Sequence, residues 1–186
     1  MNDTNTELAI TPADIVAAIK SATVEVFATM LNMQLEAGPM LTEKSVAAAP
    51  ASGVVSLVGL AGSWAGTGSI ACTGAFACKM ASSFLLAEYD AMNDDVLDAV
   101  GEISNMIVGN VKTILEEKVG QMGLSTPTVI FGRNFQTRSS RNHEWIVVPF
   151  RMGDEHMFVQ LSLAPNRDGE RSTLRAGFQM PQVINF

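Results

Sequence analysis

The chain has 186 residues with 12 basic against 19 acidic side chains, a net charge of −7 and 47% hydrophobic residues. A chain of this length buries roughly 70% of its unfolded surface, enough for one globular core without disulfide or metal support. The acidic balance argues against a nucleic-acid or anionic-membrane binder, which would present a basic patch.

Residues 1–11 read as a disordered tail and 12–186 as a single domain. The opening MNDTNTELAIT has neither the basic n-region nor the apolar h-region of a signal peptide, and the expected location is cytoplasmic. Thr11 is placed to cap a helix, with Pro12 at its first position and Asp14 in its first turn. That helix is expected to run to about Leu35 and to stop at Gly38-Pro39. Between Ser45 and Ala87 the only charge is Lys79, yet Pro50, Gly53, Gly59, Gly62 and Gly66 interrupt the apolar run. A membrane span needs about 20 mostly apolar helical residues. VVSLVGLAG and TGSIACT read instead as a buried strand pair turning around Ser63–Gly66. Cys72 and Cys78 lack CxxC spacing and read as buried thiols of a reducing compartment.

Helices follow from about Ala75 to Tyr89 and from about Asp94 to Lys118. The last third turns to strands, PTVIFG, WIVVPF, MFVQLSL and TLRAGFQ, with loops at 133–143 and 165–172. In MFVQLSL, Val159, Leu161 and Leu163 share one face and Phe158, Gln160 and Ser162 the other, the alternation of a half-buried strand. The order is helix, two strands, two helices, then three or four strands. Strand–helix alternation is lacking, so the expected class is α+β, a mostly antiparallel sheet with long helices packed on it.

The third helix carries the candidate chemistry. Asp98, Glu102 and Asn105 stand at i, i+4 and i+7, a spacing that puts all three in a narrow wedge of one face. Val96, Val100, Ile103, Ile107, Val111 and Ile114 form the opposite, buried stripe. Gly101 and Gly109 flank the wedge, and Met106 stands at its edge. A glycine inside a helix costs about 0.5–1 kcal/mol relative to alanine, so two there point to the close approach of another surface. By itself such a wedge is also what an ordinary solvated helix face looks like.

The pattern Asp98-x3-Glu102-x2-Asn105-x21-Pro127 resembles the signature of the CheC/CheX/FliY phosphatases, Asp/Ser-x3-Glu-x2-Asn-x21-Pro. DAVGEISNMIVGNVKTIL, STPTVIFG and VVPF are similar to the CheX branch in particular, and the likeness extends over about residues 12–165. The resemblance implies an internally duplicated α+β fold and a protein aspartyl-phosphate phosphatase. Its partner would be a phosphorylated CheY-like receiver domain, which supplies the phosphoryl group and its bound Mg²⁺. No cofactor of its own is implied. Asn105 would position the attacking water and Glu102 would pair with the receiver's lysine. Asp98, read as lying in the first turn, would cap or support the helix, and Pro127 would set the start of PTVIFG. Homodimers joined through sheet edges are common in the branch.

Ser21-x3-Glu25-x2-Ala28 repeats the spacing 77 positions earlier, with Pro50 following Ala28 after 21 residues. Ala28 has neither donor nor acceptor, so this degenerate second site is expected to be dead. GLAGSWAGTGS is no P-loop, because no Gly-Lys-Ser/Thr follows. His143, in a loop with Arg133, Arg138 and Arg141, and His156, after Asp154 and Glu155, lack metal-ligand spacing. Two other functions stay open: a non-catalytic adaptor that binds a receiver or a flagellar or kinase component, and an unrelated α+β domain.

Overall fold

Helix α1 (Pro12–Met30) begins on a reciprocal cap. Asp14 N donates to Thr11 Oγ1 at 3.2 Å, and Thr11 N donates to the Asp14 carboxylate at 3.0 Å. The helix ends earlier than the expected Leu35. Leu31 is its C-cap and Asn32 takes φ 50°, a left-handed conformation that asparagine tolerates. The computed structural model describes residues 10–44, 46–47, 52–133, 137–138 and 144–166; Pro50, His143 and the expected strand TLRAGFQ lie outside them.

After α1 come β1 (Glu36–Ala37), β2 (Leu41–Lys44), β3 (Val46–Ala47), β4 (Ser52–Gly62) and β5 (Trp64–Cys72). Then follow α2 (Gly74–Leu85), α3 (Asp94–Val119), β6 (Met122–Leu124), β7 (Thr128–Arg133), β8 (Thr137–Arg138), β9 (Glu144–Met152) and β10 (Glu155–Pro165). The α+β expectation holds: eight strands form one antiparallel sheet ordered β1-β9-β10-β5-β4-β6, with β2 also on β9 and β7 also on β4. β3 and β8 form a separate pair.

The chain is an internal duplication. Each half runs through a helix, three short strands and a long hairpin: α1 with β1–β5, then α3 with β6–β10. The halves exchange partners. α1, β1 and β2 lie on β9 of the second half, while α3, β6 and β7 lie on β4 of the first. β5 pairs with β10 where the halves meet, with Ser69 opposite Gln160 in the middle of the ladder. α1 and α3 run antiparallel, since Lys118 near the end of α3 is 2.7 Å from Asp14 at the start of α1.

All three helices cover one face of the sheet. Val54, Val58, Ile70, Val148, Met157, Val159 and Leu161 meet Ile19 and Phe27 of α1, Phe76 and Met80 of α2, and Ile103 and Ile107 of α3 in one core. β10 departs from the half-buried expectation, because Gln160 and Ser162 are as buried as Val159 and Leu161. No helix among the described residues is long and apolar enough to cross a membrane.

Candidate active site

α3 starts on Asn93, whose Oδ1 accepts a hydrogen bond from Val96 N at 3.0 Å, and Asp94 and Asp95 occupy its first turn. These three meet the helix dipole, where negative charge is favoured. Asp98 sits one turn further on, neither the cap nor in the first turn where it was expected. Val96, Val100, Ile103, Ile107 and Val111 are buried as expected, whereas Ile114 is 41% exposed and Leu115 is buried in its place. The buried stripe therefore steps by four along the later turns, as an inclined ridge does when helices cross.

On the outer side Asp98 and Glu102 are exposed and Asn105 is half-buried. No hydrogen bond or ion pair among the described residues engages any of these three side chains. Elsewhere the carboxylates of Asp14, Glu36, Glu116 and Glu155 are each bound to a lysine or arginine within 3 Å. Pairing holds the Asp14 carboxyl at about 2 and lowers those of Glu116 and Glu155. The wedge on α3 is thus uncommitted polar surface on a helix whose opposite stripe is buried.

The β6–β7 segment forms one wall of this face. Ser125 pins it to β4: its N donates to Gly59 O at 2.9 Å and its Oγ accepts from Gly59 N at 2.8 Å. Pro127 directly precedes β7 and is half-buried. A methyl group on Gly101 would lie 3.3 Å from Val129 Cγ2 and 3.4 Å from Pro127 Cγ, and one on Gly109 would lie 3.5 Å from Leu124 Cδ1. Gly101 is buried. At both glycines the chain's own β6–β7 segment comes close. Met106 is half-buried against the core. Asn93, Ser125 and Phe131, an exposed side chain of β7, went unnoticed in the sequence. An Asn followed by two acidic residues ahead of an apolar period was the signal for the first.

The family model described as chemotaxis phosphatase CheX matches residues 54–151, more than half of the chain and the whole of α3. The chain belongs to the CheX family of chemotaxis phosphatases. Among solved structures, the chemotaxis protein CheX of Desulfovibrio desulfuricans is 28% identical with a TM-score of 0.72, over 81% of this chain and 99% of that one. CheX of Borrelia burgdorferi, solved as a complex with CheY, BeF3 and Mg²⁺, is 28% identical with a TM-score of 0.68, over 80% and 97%. FliY of Thermotoga maritima shares the fold alone, at 16% identity, a TM-score of 0.61 and coverage of 82% and 91%. No curated protein matches.

Within this CheX-type duplication, Ser21, Glu25 and Ala28 are all exposed on α1, the helix related to α3. Pro50, the remaining member of that copy, lies outside the described residues, whereas Pro127 falls between β6 and β7. Among the described residues no group of three or more His, Cys, Asp or Glu could hold a metal ion. The face offers two carboxylates and one carboxamide, a set suited to hydrogen bonding and ion pairing with something brought to it.

Proposed function

We propose that the protein hydrolyses the aspartyl phosphate of a CheY-like receiver. The carrying observation is that Glu102 and Asn105, at the family spacing, stand side by side on α3 with no partner among the described residues. The receiver brings the phosphoryl group and its Mg²⁺, as the B. burgdorferi relative's complex with CheY, BeF3 and Mg²⁺ suggests. The Asn105 side-chain oxygen accepts a hydrogen bond from the attacking water, while its NH2 donates to a phosphoryl oxygen. Water adds to phosphorus, the bond to the aspartyl oxygen breaks, and inorganic phosphate leaves the receiver carboxylate free. Such reactions depend chiefly on positioning and charge stabilisation, and a neutral amide does not repel the phosphoryl oxygens as a carboxylate would. Glu102 pairs with the receiver's lysine and sets the register of docking. Asp98 adds to the anionic field beside it. On this reading the protein works in the cytosol, beside its receiver, and pairs with a second copy through sheet edges, of which β1–β2 and β6–β7 are the outermost strands.

The test follows the decay of a phosphorylated CheY-like receiver with wild type and with Asn105→Ala. Acceleration by wild type and its loss in the variant, with binding retained, is expected. Binding without acceleration by wild type turns the protein into an adaptor. An Asn105→Ala variant as active as wild type removes Asn105 from the mechanism.

A further inference from the structure

Phe131 is 51% exposed on an edge strand, although it belongs to the helix-covered side of the sheet. Its ladder partner is Val54, whose side chain is fully buried in the core, and residues directly opposite share a face. Val129, two residues earlier on the same side of β7, abuts Gly101, the neighbour of Glu102. From there β7 runs toward the start of α3. A methyl on Gly74 would meet Phe131 Cε2 and Met92 Sδ, each at 3.8 Å, and Met92 directly precedes the Asn93 cap. The ring therefore lies on the flank of the polar wedge, on the Asp98 side of Glu102, held by a strand that is itself laddered to β4.

We infer that Phe131 is the apolar anchor on which the phosphorylated receiver seats beside Glu102 and Asn105. The inference rests on the phosphatase reading and adds to it the contact that holds the partner. Aromatic side chains that are large, rigid and half-exposed supply most of the energy where they sit inside a charged rim. The rim here is acidic. Asp94, Asp95, Asp98 and Glu102 are all exposed along the first turns of α3. The occupant must therefore combine an apolar contact with basic side chains, which suits a receiver presenting its lysine to Glu102. A second copy of this chain would set these α3 carboxylates against one another in a symmetric contact, and like charges opposed across an interface are costly.

Steady-state dephosphorylation of the receiver and binding of its beryllofluoride-activated form test the inference, with Asn105→Ala measured in parallel. Phe131→Ala is expected to raise KM and weaken binding on the order of tenfold while kcat stays within about twofold, the pattern of a lost docking contact. Asn105→Ala is expected to do the reverse, losing kcat and keeping affinity. Because Phe131 also touches the α2 start, Phe131→Trp supplies a readout in a folded chain. Its fluorescence, less that of wild type with Trp64 and Trp145, should shift to the blue when the receiver is added. Wild-type KM and affinity in Phe131→Ala, or no spectral shift in Phe131→Trp, overturns the anchor while an inactive Asn105→Ala leaves the phosphatase reading standing. Full activity of Asn105→Ala sinks that reading instead. Loss of self-association in Phe131→Ala with receiver affinity unchanged assigns the ring to a second copy and also overturns the inference.

Discussion

At position 105 an amide and a carboxylate differ by little in size and by a full charge. Asn105→Asp keeps the shape of the wedge and places a negative group against the phosphoryl oxygens. It is expected to lose on the order of 100-fold in rate, as Asn105→Ala does, because positioning of the water is lost in both. Phosphate release under single-turnover conditions measures it; an active Asn105→Asp would mean that the amide NH2 is unnecessary. Glu102→Gln should instead raise KM with a smaller effect on kcat, since its carboxylate serves recognition, and receiver titrations separate the two. The wedge was legible in the sequence because i, i+4 and i+7 share a face of any helix. What Asp98 and Gly101 do was not. The first depends on where α3 starts, which Asn93 decides through a hydrogen bond to Val96 N. The second depends on which strand crosses the helix, and Pro127 and Val129 reach Gly101 only through the β6–β7 connection.

Among the elements, α3 is held to the sheet through a close contact at Gly68 of β5. A methyl there would lie 2.6 Å from Val108 Cγ2 and 2.8 Å from Val108 Cγ1, and both residues are buried. Gly68→Ala should therefore destabilise the fold by about 1–3 kcal/mol, the range for overpacking a core. Urea midpoints check this, and Gly68→Ala with Val108→Ala should fall short of the additive loss because the clash disappears. If the two losses simply add, the contact is not the cause. The long elements were legible because period and caps agree: α3 was expected from Asp94 to Lys118 and spans Asp94–Val119. β1, β2, β3, β6 and β8 were not, since strands of two to four residues carry no measurable alternation. β1 and β2 exist through the ladder of β9, β6 through that of β4, and β3 and β8 through each other, pairings made by residues far away in the chain.

For the molecule as a whole, the exchange of partners between the halves makes the contact between α1 and α3 a joint between duplicated units. Lys118 Nζ and the Asp14 carboxylate span it at 2.7 Å, and the same carboxylate also accepts from Thr11. The Lys118 ammonium, then the Thr11 N–H and hydroxyl, hold Asp14 at about 2, below its ordinary 3.8. A carboxyl lowered on folding stabilises the folded state above its unfolded pKa and loses that contribution as the pH falls through the folded value. Wild type should thus lose its advantage over Asp14→Asn between about pH 4 and about pH 2, the interval between those two values. The expected signature is a pair of unfolding curves, apart near neutral pH and converging in acid. Both groups are surface-exposed and screened, so the gap should also narrow with added salt. A gap that persists unchanged to the acid end would place the effect of the substitution in the Thr11 cap geometry, which an amide also disturbs, and not in the charge that joins the two halves.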